Sequence, residues 1–202
     1  WREKAGAGEN DFLLAYFGLF NRSKGLDTLL AALAALRNDG IAARLVLIGD
    51  VGSSDPTNIA YAEHISNQIT ALGLAPYIHR TGFIDEQSVG AYLTASDAAV
   101  LPFLDGASYR RGSLLAAIHY GCAIVTTTPP VTIPAFVDGD TMLFAPPGDS
   151  AALAQALRRL AAHPDLRERL QQQAALLAGQ FTWEHIAHTT HHYFQWVIEE
   201  GT

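Results

Sequence analysis

The hydrophobic positions of this chain fall into short continuous runs that alternate with stretches of helical spacing. FLLAYF, within residues 11–18, is apolar throughout, as expected of a parallel strand buried on both faces. After the turn NRSKG, Leu26, Leu29, Leu30, Leu33 and Leu36 recur at helical spacing, with Gly40 as the stop. ARLVLIGD predicts a second buried strand ending at Gly49 and Asp50, so these pieces form a right-handed β-α-β unit. Residues 51–58 read as a loop of small polar residues. IAYAEHISNQITALGL reads as a helix ending near Gly73, and YIHRTGF as a weaker strand closed by Gly82 and Phe83. DEQSVGAYLTAS predicts a helix with acidic residues in its first turn, where the helix dipole favours them. Residues 98–103 predict a fourth strand, SLLAAIHYG a short helix, and AIVTT a fifth strand.

Beyond AIVTT, the prolines of TPPVTIPAFVDGD forbid a long regular element. The expectation is a structured loop on the ligand side, with a short helix around residues 134–137. TMLFAP reads as a short edge strand, and Pro147, Gly148 and Asp149 form a stop-and-start signal before two helices separated at His163 and Pro164. The last segment, FTWEHIAHTTHHYFQWVIEE, is an amphipathic helix with Trp183, Ile186, Phe194 and Val197 as its apolar contributions. The pattern predicts the α/β class, a doubly wound parallel sheet without internal repeats. In such a sheet the ligand crevice follows the carboxyl ends of the strands, here Gly18, Gly49, Gly82 and the loop after Phe103.

Composition narrows this further. With 202 residues, 49% hydrophobic and 16% charged, the chain can bury one α/β core and is too apolar for disorder. A formal net charge of -7 excludes the basic field of a general nucleic-acid binder, while leaving local arginines free to hold one nucleotide. The single cysteine, Cys122, excludes an internal disulfide and a cysteine-rich metal site, and its place at the start of an apolar strand predicts a buried thiol. No apolar run is long enough to cross a bilayer and no signal peptide is visible, so the expected localisation is cytoplasmic. The start, WREKAGAGEND, has no initiator methionine and leads directly into a strand, as a fragment or cut-out domain would.

No P-loop, G-x-G-x-x-G, G-x-S-x-G or H-E-x-x-H pattern is present. His185, His188, His191 and His192 crowd one helix without an evident acidic or cysteine partner, so a polar helix face accounts for them better than zinc does, and no metal is expected. The stronger constellation is distributed. Lys24 stands in the turn after the first strand, and Arg110 and Arg111 stand before helix SLLAAIHYG. Ser113 is expected to cap that helix, with the amides of Gly112 to Leu114 pointing out of its start. A lysine, an arginine pair and free amides on one crevice would neutralise a diphosphate and stabilise it as a leaving group. Asp105 is placed to accept hydrogen bonds from sugar hydroxyls. The competing reading of each is a solvated surface charge.

These pieces resemble a known family. YFGLFNRSKGLDTLLAAL, ARLVLIGD, the LGL to IHRTGFID junction, ASDAAVLPF, GSLLAAIHYGCAIVTT and DGDTMLFAPPGDSAALAQALRRL followed by PDLRERL run in the order of the C-terminal, donor-binding domain of GT-B glycosyltransferases of family 4, the "glycosyl transferases group 1" type. The resemblance covers nearly the whole chain. It implies a Rossmann-like domain, residues 1–202, that binds a nucleotide-diphosphate sugar, with the acceptor-binding N-terminal domain absent from this chain. It also implies retaining transfer without a metal or other cofactor, and a parent protein able to associate peripherally with a membrane. Gly18, Lys24 and Gly25 match the family's G-R-L-x-x-x-K-G turn. Gly82, Phe83 and Ile84 match the segment whose backbone meets the base, and Gly49 and Asp50 the loop before it. The departures are Leu19, where the family carries a phosphate-binding arginine, and Ala116, where it carries the ribose-binding glutamate. The loop holding Asp105 is also longer by about two residues, and Arg110 or Arg111 is the candidate replacement for the cation lost at Leu19. Two alternatives stay open: a non-catalytic glycosyltransferase-like module that binds a sugar nucleotide or a partner, and a related GT-B epimerase or phosphorylase.

Overall fold

The computed structural model describes residues 1–52 and 56–200. The strands are β1 (Phe12–Phe17), β2 (Ala43–Ile48), β3 (Ile78–Gly82), β4 (Ala98–Leu101), β5 (Ile124–Thr127) and β6 (Leu143–Ala145). The helices are α1 (Leu26–Asn38), α2 (Pro56–Ala71), α3 (Glu86–Ala95), α4 (Gly112–His119), α5 (Ser150–Ala162), α6 (Pro164–Ala178) and α7 (Trp183–Glu200). All pairings are parallel, in the order β3-β2-β1-β4-β5-β6. The chain therefore reverses its direction of winding between β1 and β4, and the crevice of a doubly wound sheet opens at that point.

The strand sequences explain the two-sided core. Along β1, Leu14 and Tyr16 join β2 residues Leu45 and Leu47 on the face covered by α1, α2 and α5. Leu13 and Ala15 join Val46 and Ile48 on the opposite face, covered by α3, α4 and α6. Both alternating sets are buried, so the runs look continuously apolar. Asp85 and Asp149 cap α3 and α5, their carboxylates accepting from the amides of Ser88 and Ala152 at 2.9 Å each. Cys122 is buried with its thiol directed at the Leu93 carbonyl, 3.6 Å away, and burial pushes its pKa up to about 12.

Several local expectations need correction. The fourth strand stops at Leu101 rather than at Phe103, because Pro102 has no amide to continue the ladder. Residues 134–137 form a turn, not a short helix. The Phe136 amide donates to Ile133, and the Thr141 hydroxyl accepts from the Val137 amide at 2.8 Å, closing the loop on itself. The chain also does not run straight into β1. Residues 1–11 form turns that bury Ala5 and Ala7, tied down by Arg2, which pairs with Asp97 at 2.9 Å. Of the predicted polar loop at 51–58, residues 53–55 lie outside the described residues, and residues 56–58 open α2 instead of belonging to the loop. Among the described residues no helix is long and apolar enough to cross a membrane.

Candidate functional site

The carboxyl ends of the strands are drawn together by glycine. Gly49, after β2, has φ 114°, and a Cβ there would lie 2.4 Å from the Gly18 carbonyl oxygen. The Gly49 amide donates to Gly82 at 3.2 Å, and the Gly18 amide to Ile48 at 3.0 Å. The three predicted glycines thus lie side by side across β1, β2 and β3. Asp50 is half-buried, its carboxylate accepting from the Val51 amide at 2.8 Å. Phe83 points to solvent, 68% exposed, and Ile84 is partly buried.

A second close approach joins β1 to β4. Gly25 has φ 70°, and a Cβ there would sit 1.9 Å from the Pro102 carbonyl oxygen. The turn carrying Lys24 is therefore pressed onto the chain leaving β4, and the Leu104 amide donates to the Ser23 carbonyl at 2.9 Å. From the other side, the hydroxyls of Thr126 and Thr127 donate to Leu101 and Phe103, each at 2.7 Å. These bonds fix the buried ring of Phe103 as a platform. The Lys24 ammonium lies 5.1 Å from its centre and the Arg111 guanidinium 4.7 Å. Burial, with a smaller contribution from Arg111's charge, holds Lys24 below the usual lysine pKa, and burial likewise lowers that of Arg111.

Asp105 pairs with Arg111 and so faces a cation in this state, rather than an open sugar subsite. Arg110 is exposed and lines a hollow of about 300 Å³ with Asp105, Ser108 and Arg111. The start of α4 departs from expectation. Arg111, not Ser113, occupies the capping position and makes no side-chain cap bond. Ser113 lies inside the first turn with its side chain packed inward, 7% exposed, and its hydroxyl has no hydrogen-bond partner among the described residues. The Leu114 amide is already donated to Arg111 at 2.8 Å, so the anion-facing amides reduce to Gly112 and Ser113.

Two features escaped the sequence. One is Phe103 as the ring shared by Lys24 and Arg111, which no local spacing announces. The other is a groove of about 830 Å³ beside α4, walled by Phe17, Ile84, Val89, Ala116, Phe181 and Trp183, with Glu86 and Glu184 in its lining. Its far wall comes from the start of α7, which the sequence marked only as an amphipathic helix. The crowded histidines of α7 are exposed, with the His188 and His192 rings 4.7 Å apart, and no group of three metal-ligating side chains occurs among the described residues.

Residues 11–163 match the family described as glycosyl transferases group 1. The chain is 27% identical over 185 residues to alpha-D-kanosaminyltransferase of Streptomyces kanamyceticus, covering 87% of this chain and 43% of that protein. Among solved structures, it superposes with a TM-score of 0.75 and 20% identity on Anabaena Alr3699/HepE in complex with UDP, over 85% of this chain and 44% of that one. It also superposes with a TM-score of 0.72 and 21% identity on the C-terminal domain of a glycosyl transferase group 1 family protein (LpcC) from Francisella tularensis, over 84% of this chain and 85% of that one. The chain thus spans less than half the length of the curated relatives it matches. The fold is that of the Rossmann-like domains of these proteins.

Proposed function

The chain belongs to the glycosyl transferases group 1 family, and we propose that it is the half of such an enzyme that binds the nucleotide-diphosphate-sugar donor. The observation that carries this reading is the placement of Lys24 and Arg111 on the single ring of Phe103, at the switch point between β1 and β4. With Arg110 they present three positive charges, of which only Arg111 is in an ion pair among the described residues, with Asp105, and this suits a diphosphate without a metal. The apolar groove beside α4 suits the nucleoside. As the bond from sugar to diphosphate breaks, negative charge grows on the leaving oxygens. Lys24, Arg111 and the Gly112 and Ser113 amides would stabilise it there.

In this reading the acceptor binds on a part of the protein outside this chain, consistent with the relatives' greater length. Transfer then needs both halves, because positioning the two substrates supplies much of the rate. We place the protein in the cytoplasm, in keeping with a single buried, unpaired cysteine. A second reading, a module that binds sugar nucleotides without transferring, draws support from Leu19 and Ala116. Both are apolar side chains at the crevice, where the resembling family carries an arginine and a glutamate.

Calorimetry of the chain with UDP, GDP and ADP and with the corresponding nucleosides tests the site. The expected result is that one diphosphate binds much more tightly than its nucleoside, and that the double substitution Arg110→Ala, Arg111→Ala removes most of the difference. Equal affinity for diphosphate and nucleoside in the unsubstituted chain would overturn the reading.

A further inference from the structure

We propose that Glu184, in the first turn of α7, accepts the hydroxyls of the donor's ribose, so that the last helix is part of the donor site. The inference rests on the donor reading above and begins with the polar groups of the groove beside α4. Its body is apolar, and the side chains in its lining that carry polar atoms are Glu86, His119, Tyr120, Thr182, Trp183 and Glu184, of which only Glu86 and Glu184 are carboxylates. Thr182 is already engaged, its hydroxyl accepting from the His185 amide at 3.2 Å as the cap of α7. Glu86 and Glu184 make no hydrogen bond or ion pair among the described residues, and no lysine or arginine lines the groove.

Two exposed carboxylates edging an apolar groove that no lysine or arginine lines disfavour an anion there and offer acceptors to hydrogen-bond donors. A neutral group carrying adjacent hydroxyls suits those acceptors; a phosphate does not. The groove therefore takes the nucleoside, and the cations at Phe103 take the diphosphate.

Connectivity then selects between the two carboxylates. In a nucleotide the ribose lies between base and diphosphate, so its partner must stand on the side of the groove nearest the arginine loop. The Tyr109 ring, next to Arg110 in that loop, packs at 5.6 Å on Phe181, two residues before Trp183 opens α7. This contact sets the start of α7 against the cationic loop. Glu86 stands on a different element, in the first turn of α3 two residues after Ile84. Glu184 is thus the ribose partner, and Glu86 is left on the side of the base.

The test compares each bound nucleoside diphosphate with its 2′,3′-dideoxy counterpart by calorimetry, in the unsubstituted chain, E184A, E184Q and E86A. A hydroxyl donating to a carboxylate is expected to give the ribose form an advantage of about tenfold to a hundredfold. That advantage should disappear in E184A, shrink in E184Q, and survive in E86A. Persistence of the advantage in E184A, its loss in E86A alone, or its absence from the unsubstituted chain would overturn the assignment. Failure of that chain to bind any diphosphate would instead overturn the donor reading on which it rests.

Discussion

The two ends of the crevice are built differently. The cationic end is backed by the sheet. Gly25 is pressed on Pro102, two threonines of β5 bond the loop after β4, and Phe103 is fully buried between Lys24 and Arg111. The groove end has one firm wall, from α4 and the end of β1, and one loose wall. Trp183 is 82% exposed, and α7 contains no buried residue. Charge is therefore presented on a preorganised frame, where little reorganisation is needed to meet a diphosphate. In the donor reading, contacts to the nucleoside depend partly on a helix whose residues are all exposed.

The sharpest way to break this contrast is to remove the frame. Gly25→Ala puts a side chain into left-handed backbone and against the Pro102 carbonyl. We expect a loss of about 3 kcal/mol or more of unfolding free energy, measured by denaturant titration, with loss of diphosphate binding. A stability change within about 0.5 kcal/mol would show that the turn is not clamped as described.

Next in size, Arg111→Ala should weaken a nucleoside diphosphate by about tenfold to a hundredfold, the worth of charge-assisted hydrogen bonds, and leave the nucleoside unaffected. Arg110→Ala should cost less, because that side chain is exposed and not seated on Phe103. The reverse ranking, read by calorimetry, would show that the ring does not preorganise the site.

A third effect is pH-dependent. Burial lowers the pKa of Lys24 in the ligand-free fold, and a bound diphosphate favours its charged form. Binding therefore takes up a proton as pH approaches that lowered pKa from below, and affinity falls as pH rises through it, earlier than an ordinary lysine would give. Lys24→Arg should move this decline to higher pH. A decline unmoved in the variant would assign it to another group.

The smallest effect belongs to the loose wall. Trp183→Ala should leave stability within about 0.5 kcal/mol, since the ring is largely exposed. It should weaken nucleoside and nucleoside diphosphate by the same modest factor. An effect confined to the diphosphate would move α7 to the charged end.

The legible part of the fold was the part written in local pattern. Continuous apolar runs marked the two-faced strands, and leucine spacing marked α1. Asp85 and Asp149 announced their helices, and Gly18, Gly49 and Gly82 marked the crevice edge. Where local pattern misled, a longer-range contact or a missing amide was responsible. Ser113 looks like a cap in sequence, but burial on the body side takes its hydroxyl away from the helix end. The proline-rich segment at 134–137 closes through Thr141 instead of coiling.

Sequence alone determined the six strands and seven α-helices found among the described residues, their order and the residues that border the strand ends, because hydrophobic periodicity, prolines and glycines act within a few residues. Only the tertiary structure decided that Lys24 and Arg111 share one aromatic ring, that Asp105 is spent on Arg111, and that α7 supplies a wall of the groove. Those are consequences of β1 lying beside β4 and of helices packing on one sheet face. Such adjacencies are set by how the whole core buries its surface, and no local spacing records them.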